Sequence, residues 1–413
     1  DSRRSPWREH PGLDKELPKE AGSWQRALRR AIRDFKWGDY VLEPGAEYGY
    51  TLCAVCGDAQ QATVLAAGDE PPSAGPGLHI GARVWLRVAT PPLYGSLHEV
   101  HFNRGAAGSQ RFAHLFPESV HAEKGPRGPE QWAWLSRGLE EALLHFISGA
   151  QGPGWRIYAA LYEAHYPPVL RALAQARTRG VEISLVVDWK IGVWSEDKKI
   201  WTQRGPQHLN YWALQEAGLL ESGCVLHRTK PPSAISHNKF FILVEPDGRP
   251  VAVWTGSTNI TSGAIFGHSN VGHVVRDAPI CAKYLVYWHQ LKRDPEKRVL
   301  AAFNEELSPL PSNESESSGP GGLGACESLV LFAPRLRWAA PLDFFAQLVR
   351  SARHCVAFTA AFGISKEMAP ALLGSEVVPK YFLLESEGNW AASREVVREL
   401  RKRRNVRVVF GAH

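Results

Sequence analysis

Two short polar motifs, each beside an apolar stretch of the chain, could together hold a phosphate. The first, His237-x-Lys239, begins an apolar stretch, and the second, Gly256-Ser257-x-Asn259, follows another. An imidazole can act as a nucleophile or as an acid–base group, whereas an amine, a hydroxyl and an amide donate hydrogen bonds to anionic oxygens. The two motifs therefore predict chemistry on an oxyanion such as a phosphate ester.

A β-hairpin is the element that would bring the two motifs together. Side chains alternate between the faces of a strand, so a strand over residues 236–244 would point His237 and Lys239 to the same face. The Pro/Gly turn at residues 245–250 returns the chain to a second strand, which ends beside the first motif. A lysine in such an apolar strand needs an anionic partner, either a carboxylate or a ligand. Gly256 would let a phosphate approach the backbone closely.

These motifs resemble those of the phospholipase D superfamily, whose half-site reads H-x-K-x4-D followed by G-S/G-x-N. The histidine, the lysine and the G-S-x-N group match as quoted above, and the resemblance extends from about residue 131 to the end of the chain. The aspartate does not match. Val244 stands in its place, and Glu245 and Asp247 lie only nearby in the turn.

The resemblance implies metal-independent phosphodiester cleavage in two steps. One histidine attacks phosphorus to give a phosphohistidine, and a second histidine from another half-site protonates the leaving oxygen and then activates water. His237 would be one of this pair, with its role open between the two, and Lys239 would be catalytic beside it. The phosphate clamp would comprise Gly256, Ser257 and Asn259. Asn270 would support the clamp, and neither a metal nor another cofactor is implied.

The second histidine is expected beyond His413, because the offset between strand and motif in the first half places its counterpart there. The chain begins at Asp1 and has Met368 as its single methionine, so we expect a piece of a longer protein. A symmetric dimer that supplies a second His237 is the alternative source.

The order of predicted elements indicates an α/β fold with duplicated phospholipase D-like α/β/α halves, preceded by a small all-β, sandwich-like domain. Residues 1–125 are rich in aromatic and β-branched residues, with short strands predicted around residues 48–52, at 62–65 and at 82–88, and resemble a fibronectin or immunoglobulin-like domain. Residues 126–307 would form the first half, with an amphipathic helix at 131–149. Residues 308–324 read as a linker. Residues 325–413 repeat the helix–strand order and would form a second, truncated half.

Composition limits the function only broadly. The chain has 413 residues, 44% of them hydrophobic, and a formal net charge of +6, which excludes a disordered or fibrous protein. Six cysteines are too few for a disulfide framework in a chain of this length, and Cys53-x-x-Cys56 lacks the second pair that a zinc site needs. No metal site is therefore predicted.

The predicted partner is a phosphodiester substrate. Phospholipid head-group hydrolysis, with contact to a membrane surface, is the first interpretation. Nucleic-acid cleavage by the same chemistry is the second interpretation, and the charge is too mild to demonstrate a nucleic-acid groove. A non-catalytic phosphate-binding scaffold is a further alternative, favoured by Val244 in the aspartate position. No stable protein partner is inferred, and the compartment is not indicated beyond the cytoplasm as the default expectation.

Overall fold

The computed structural model contains two compact units, residues 1–96 and 97–413. The residues that it describes are 45–57, 78–90, 92–105, 110–117, 128–191, 193–195, 200–203, 205–232, 234–311, 328–360, 363–384 and 391–410. No helix within these ranges is long and apolar enough to cross a lipid bilayer.

The described residues of the first unit form an antiparallel pair of strands, β1 (Glu47–Gly57) and β2 (Leu78–Ala89). Both strands were expected from their aromatic and β-branched residues. A further expected strand at residues 62–65 lies outside the described residues, as do the side chains of Cys53 and Cys56. The sandwich-like domain stays a prediction, since two strands do not make a sandwich.

The second unit is built on a mixed seven-stranded sheet, which makes the α/β class of the fold explicit. Its strands are β3 (His98–Phe102), β4 (Arg156–Leu161), β5 (Glu182–Asp188), β8 (Val225–Arg228), β9 (Lys239–Val244), β10 (Pro250–Gly256) and β11 (Val271–Val275), in the order β3-β11-β10-β9-β4-β5-β8. Strands β4, β5 and β8 are parallel, and the remaining neighbours are antiparallel. A small hairpin, β6 (Val193–Ser195) and β7 (Ile200–Gln203), follows β5.

Helices cover both faces of this sheet. They are α1 (Gln110–Leu115), α2 (Pro129–Ser136), α3 (Leu139–Ser148), α4 (Pro167–Thr178), α5 (Gln207–Glu216), α6 (Ala278–Leu291) and α7 (Lys297–Leu307). On one face, the α3 residue Phe146 packs against Trp254 of β10. On the other face, Trp288 and Tyr287 of α6 pack in one apolar cluster with Phe240 and Ile242 of β9. The alternating side chains predicted for the β9 segment therefore serve the two cores, one on each face of the sheet.

The helix expected at residues 131–149 is two helices. Arg137 and Gly138 separate α2 from α3, with φ angles of 52° and 91°, a left-handed conformation that ends an α-helix. The break lets Leu135 pack with Phe266, whereas Phe146 reaches Trp254. Periodicity alone did not reveal the break, because the apolar spacing continues across it.

The boundary predicted at residue 125 falls instead between Ser96 and Leu97. β3 lies within the predicted N-terminal domain, yet it pairs along its whole length with β11 and completes the large sheet. A strand of five residues has no local signal for its partner, since pairing is decided by contacts distant in sequence.

The C-terminal part contains a separate three-stranded parallel sheet and three helices. It consists of α8 (Ala340–Ser351), β12 (Val356–Ala360), α9 (Ala369–Leu373), β13 (Lys380–Leu384), α10 (Ala391–Arg401) and β14 (Val406–Phe410). Its strand order β12-β13-β14 follows the same pattern as β4-β5-β8. Duplication nevertheless stays a prediction, because counterparts of β9 and β10 are not among the described residues. The predicted linker lies mostly outside them as well, at residues 312–324.

Candidate active site

The His237 and Lys239 side chains meet at one aromatic ring. The ring centroids of His237 and Tyr162 are 4.8 Å apart, and Lys239 Nζ lies 5.5 Å from the Tyr162 centroid. Lys239 Nζ also donates a 3.0 Å hydrogen bond to the backbone carbonyl of His237. Asn238, between them, accepts a hydrogen bond from Tyr287 of α6. The structure therefore brings the imidazole and the amine together, although β9 begins only at Lys239 and His237 precedes it.

Lys239 is a buried cation with a carboxylate nearby. The residue is 9% exposed, and burial lowers the pKa of its amine to about 8, while the charge of Glu163 acts in the opposite direction. A lysine that is only weakly held in its charged form by protein groups can respond strongly to a bound anion. Both partners foreseen for this lysine, a carboxylate and a ligand, are compatible with this arrangement.

The His237 ring is exposed and ready to act as a base or a nucleophile. Desolvation and the nearby Lys239 charge lower the pKa of His237 below 6.5, and Asp188 partly opposes them. A lowered pKa means that the neutral imidazole, the nucleophilic form, predominates at pH 7.

Asp188 positions the loop that leads to His237. Its fully buried carboxylate accepts hydrogen bonds from the backbone N–H of Ser236 at 2.6 Å and from Lys190 Nζ at 2.8 Å. Asp188 is the last residue of β5, so the parallel sheet delivers it to the edge where the loop passes. The sequence analysis did not assign Asp188 a role, although an aspartate at the end of an apolar strand could have indicated a functional carboxylate.

The aspartate missing from the first motif would not have reached this site. Val244, in its place, is buried at the opposite end of β9 from Lys239. Five residues of strand correspond to roughly 16 Å. Glu245 and Asp247, the nearby acids, both interact with Arg249 in the turn instead. The substitution therefore leaves the immediate surroundings of His237 and Lys239 intact.

Asn259 joins the first motif through Glu163. Its amide Nδ2 donates a hydrogen bond to Glu163, the residue whose charge acts on Lys239. Its Oδ1 is buried, and no hydrogen-bond partner for it is found among the described residues. Glu163 follows β4 and was missed by the sequence analysis, since it is 96 residues from Asn259 in the chain. The amide and the amine thus share one carboxylate.

Gly256 and Ser257 join the end of β10 to β11 in this structure. Gly256 has a φ of +139°, and a Cβ added to it would lie 2.2 Å from the Val271 carbonyl oxygen, so the close approach here is that of backbone rather than ligand. Ser257 Oγ donates to Asn270 Oδ1 at 2.8 Å and accepts from the Val271 N–H at 3.1 Å. Asn270 thus contacts Ser257, the residue that it was expected to support.

Asn103 anchors this part of the site from a distant strand. The residue follows β3, and its buried Nδ2 lies within hydrogen-bond distance of the carbonyls of Ala264, Ile265 and His268 around the π-helix at Gly263–Gly267. Its Oδ1 accepts the N–H of Asn270 at 2.7 Å. A residue predicted to lie in the N-terminal domain therefore orders the segment that carries Asn270.

Replacing Asn103 by aspartate is expected to lower the free energy of unfolding by about 3 kcal/mol, because a buried anion would then face three carbonyl oxygens. Asn103→Ala should cost less, about 2 kcal/mol, since it removes the hydrogen bonds without adding a charge. Urea denaturation followed by tryptophan fluorescence measures both. Equal stability of Asn103→Asp and the unchanged protein would contradict this account of the anchor.

Comparison with known proteins assigns the domain that carries these motifs. Residues 143–292, which include both motifs, match the family model described as cardiolipin synthase, PLD-like domain. The chain therefore contains a phospholipase D-like domain, and the superfamily expected from the two motifs is confirmed.

Three bacterial proteins are among the solved structures that match parts of the chain. Nuc from Salmonella typhimurium, a phospholipase D family member, is 25% identical over 38% of this chain and 87% of its own, with a TM-score of 0.26. NucT from Helicobacter pylori is 17% identical over 38% of this chain and 90% of its own, with a TM-score of 0.28. Phosphatidylserine synthase from Haemophilus influenzae Rd KW20 is 11% identical over 61% and 60%, with a TM-score of 0.38. No curated protein sequence matches the chain. Because these TM-scores are below 0.5, the assignment rests on the family model.

Proposed function

We propose that this protein cleaves phosphodiesters through a phosphohistidine formed at His237. The observation that carries the proposal is the pairing of the exposed imidazole of His237 with the buried amine of Lys239 against the Tyr162 ring. The family supports it, since phospholipase D-like domains belong to phosphodiester-hydrolysing and phosphotransferase enzymes.

The reaction begins when a ring nitrogen of His237 attacks phosphorus. The N–P bond forms, and the P–O bond to the leaving group breaks with its electron pair on the departing oxygen. Lys239 and the amide of Asn259 offset the charge that builds on the non-bridging oxygens. Water then attacks the phosphohistidine, the N–P bond breaks, and the imidazole is regenerated. Ser257 is the third member of the proposed clamp.

A second histidine would protonate an alkoxide leaving group and later activate the water. The described residues place no other histidine against His237, so we propose that this group comes from a second half-site or a second copy. A p-nitrophenolate leaving group departs without protonation, because this anion is itself only weakly basic. Such a substrate therefore isolates the step that His237 performs.

A burst of product is the expected result with bis-p-nitrophenyl phosphate. We expect about one p-nitrophenolate per protein molecule at pH 7, followed by slower turnover, because breakdown of the phosphohistidine needs the second group. Stopped-flow absorbance measures the burst, and mass spectrometry of an alkaline-quenched digest locates the adduct. EDTA should leave the burst unchanged. Turnover without any adduct on the peptide that contains His237 would refute the mechanism.

The pH dependence follows from two opposing requirements. His237 must be neutral, and its pKa lies below 6.5, so kcat/KM should reach its plateau at or below neutral pH. Lys239 must be charged, and its pKa is about 8, so kcat/KM should fall as the pH rises through that value. The Lys239→Arg variant should keep its residual activity at higher pH. A profile that still rises between pH 8 and 9.5 would contradict these roles.

We propose that phospholipids are the substrate class and that the protein hydrolyses their head groups. Metal-independent cleavage of nucleic acid by the same residues is the second candidate from the sequence, and the two share every step above. Assays on phosphatidylcholine vesicles and on single-stranded DNA, with EDTA in both, discriminate between them. A phosphate-binding scaffold without turnover would show affinity for phosphate but no burst.

A further inference from the structure

Glu163 is a half-buried carboxylate that contacts the phosphate site without belonging to either motif. The end of β4 lies beside the start of β9, where Leu161 pairs with Lys239, and Glu163 follows two positions later. No step of the proposed reaction uses this carboxylate, and a negative charge repels a phosphate. Its presence beside a site for anions therefore needs a physical reason.

The backbone around Glu163 is fixed in place by hydrogen bonds. Asn210 of α5 is fully buried, and its side chain accepts the N–H of Ala164 at 2.8 Å and donates to the Tyr162 carbonyl at 3.0 Å. The Glu163 carbonyl accepts the N–H of Ile260, the residue that follows the second motif, at 3.1 Å. The carboxylate is therefore carried on a segment that is tied both to α5 and to the second motif, as a precise site requires.

The side chain of Glu163 selects the orientation of the Asn259 amide. A carboxylate only accepts hydrogen bonds, so the nitrogen end of the amide must face it, and Nδ2 does so. The amide nitrogen carries two N–H groups, so one can donate to a phosphate oxygen while Glu163 holds the other. A carboxylate is thus suited to present the donor end of Asn259 to an anion.

Glu163 also favours the charged form of Lys239. Burial lowers the pKa of this amine to about 8, and the charge of Glu163 opposes that effect. Asp188, the other carboxylate near the first motif, is paired with Lys190 at 2.8 Å and acts on the pKa of His237.

The remaining charged and titratable groups around Lys239 carry no negative charge at neutral pH. Those that line the space beside it are Arg228, His237, Tyr284, Tyr287 and Lys297. Among the described residues, Glu163 is therefore the carboxylate whose charge acts on Lys239.

We propose that Glu163 is a positioning residue of the phosphate site, which orients the donor end of the Asn259 amide and keeps Lys239 positively charged before the phosphate binds. The inference rests on the proposed function and deepens it, because it adds a residue that acts through Asn259 and Lys239 rather than on the substrate. Correct placement of the two donors would then be worth more than the repulsion between Glu163 and the phosphate.

The Glu163→Gln variant of the full chain tests the proposal, because it removes the charge and preserves the size of the side chain. We expect kcat/KM for bis-p-nitrophenyl phosphate to fall by at least about tenfold at pH 7. Competitive acetylation across pH 6–10, with mass spectrometry of the peptide that contains Lys239, measures the ionisation of this amine independently of catalysis. Its midpoint should lie near pH 8 in the unchanged protein and lower in Glu163→Gln. Glu163→Asp keeps the carboxylate, so its midpoint should stay closer to that of the unchanged protein.

Glu182→Gln is the matched control. Glu182 is exposed and begins β5, at the end of the parallel strands opposite to Glu163, so kcat/KM should change by less than about twofold and the midpoint should not move. In an Asn259→Ala background, Glu163→Gln should lower kcat/KM less than it does alone, because the amide that Glu163 orients is gone.

An acetylation midpoint that Glu163→Gln leaves unchanged would overturn the proposal, as would an equal loss of kcat/KM with and without the Asn259 amide. A lower midpoint in a protein that shows no burst at His237 would reject the catalytic proposal alone. A burst accompanied by an unchanged midpoint and an unchanged kcat/KM in Glu163→Gln would reject the role of Glu163 alone.

Discussion

His237→Ala is expected to abolish the p-nitrophenolate burst and to lower kcat/KM for bis-p-nitrophenyl phosphate by at least about 1,000-fold, since removing a covalent nucleophile forces the reaction through uncatalysed attack by water. The side chain is exposed and packs edge to face against the Tyr162 ring. The loss should therefore leave the fold and its stability nearly unchanged. Stopped-flow absorbance and thermal unfolding measure the two effects separately.

His268→Ala is the matched control for this variant. His268 is also an exposed histidine, in the loop that follows the second motif, and its backbone rather than its ring makes the hydrogen bond to Asn103. It should retain the burst within about twofold. A His237→Ala protein that still shows a stoichiometric burst would place the nucleophile elsewhere and end the proposed mechanism.

Lys239→Met is expected to lower kcat/KM by about 100–1,000-fold, which is the usual cost of removing one group that stabilises charge in the transition state. Methionine preserves most of the length and the apolar contacts of the side chain, so the loss reports the missing charge. The variant should also lose the decline of kcat/KM above pH 8, because the group with that pKa is gone. Initial rates across pH 5.5–9.5 measure both effects.

Lys230→Met provides the comparison for charge alone. Lys230 is half exposed and forms a surface ion pair with Glu296, an interaction that contributes little. We expect its kcat/KM to change by less than about twofold. If Lys239→Met retained an alkaline decline at the same pH, a different group would have to be responsible for it.

The local elements of the site were predictable from local patterns. Side chains in the stretch after Lys239 alternate between the two faces of the sheet. Strand β9 has this arrangement, with Phe240 and Ile242 packed in the cluster that includes α6. The Pro/Gly turn at residues 245–250 likewise joins β9 to β10 as a hairpin. These features depend on neighbours within a few positions, which is why the sequence alone sufficed for them.

The break at Arg137–Gly138 and the place of β3 were not predictable in this way. A left-handed turn within a continuous apolar period is recognised only when the two halves of the helix pack on different clusters, as Leu135 and Phe146 do. The position of a short strand such as β3 in the fold is decided by its partner, β11, which lies about 170 positions later in the chain.

By itself, the sequence determined the chemistry that is available, because the side chains of His237, Lys239 and Asn259 carry it wherever they are placed. Only the tertiary structure decided which groups surround them. Glu163 and Asp188 reach the motifs because parallel strands end at one edge of a sheet. Such groups come together through pairing of strands and packing of helices over long sequence separations. No local sequence pattern predicts these contacts.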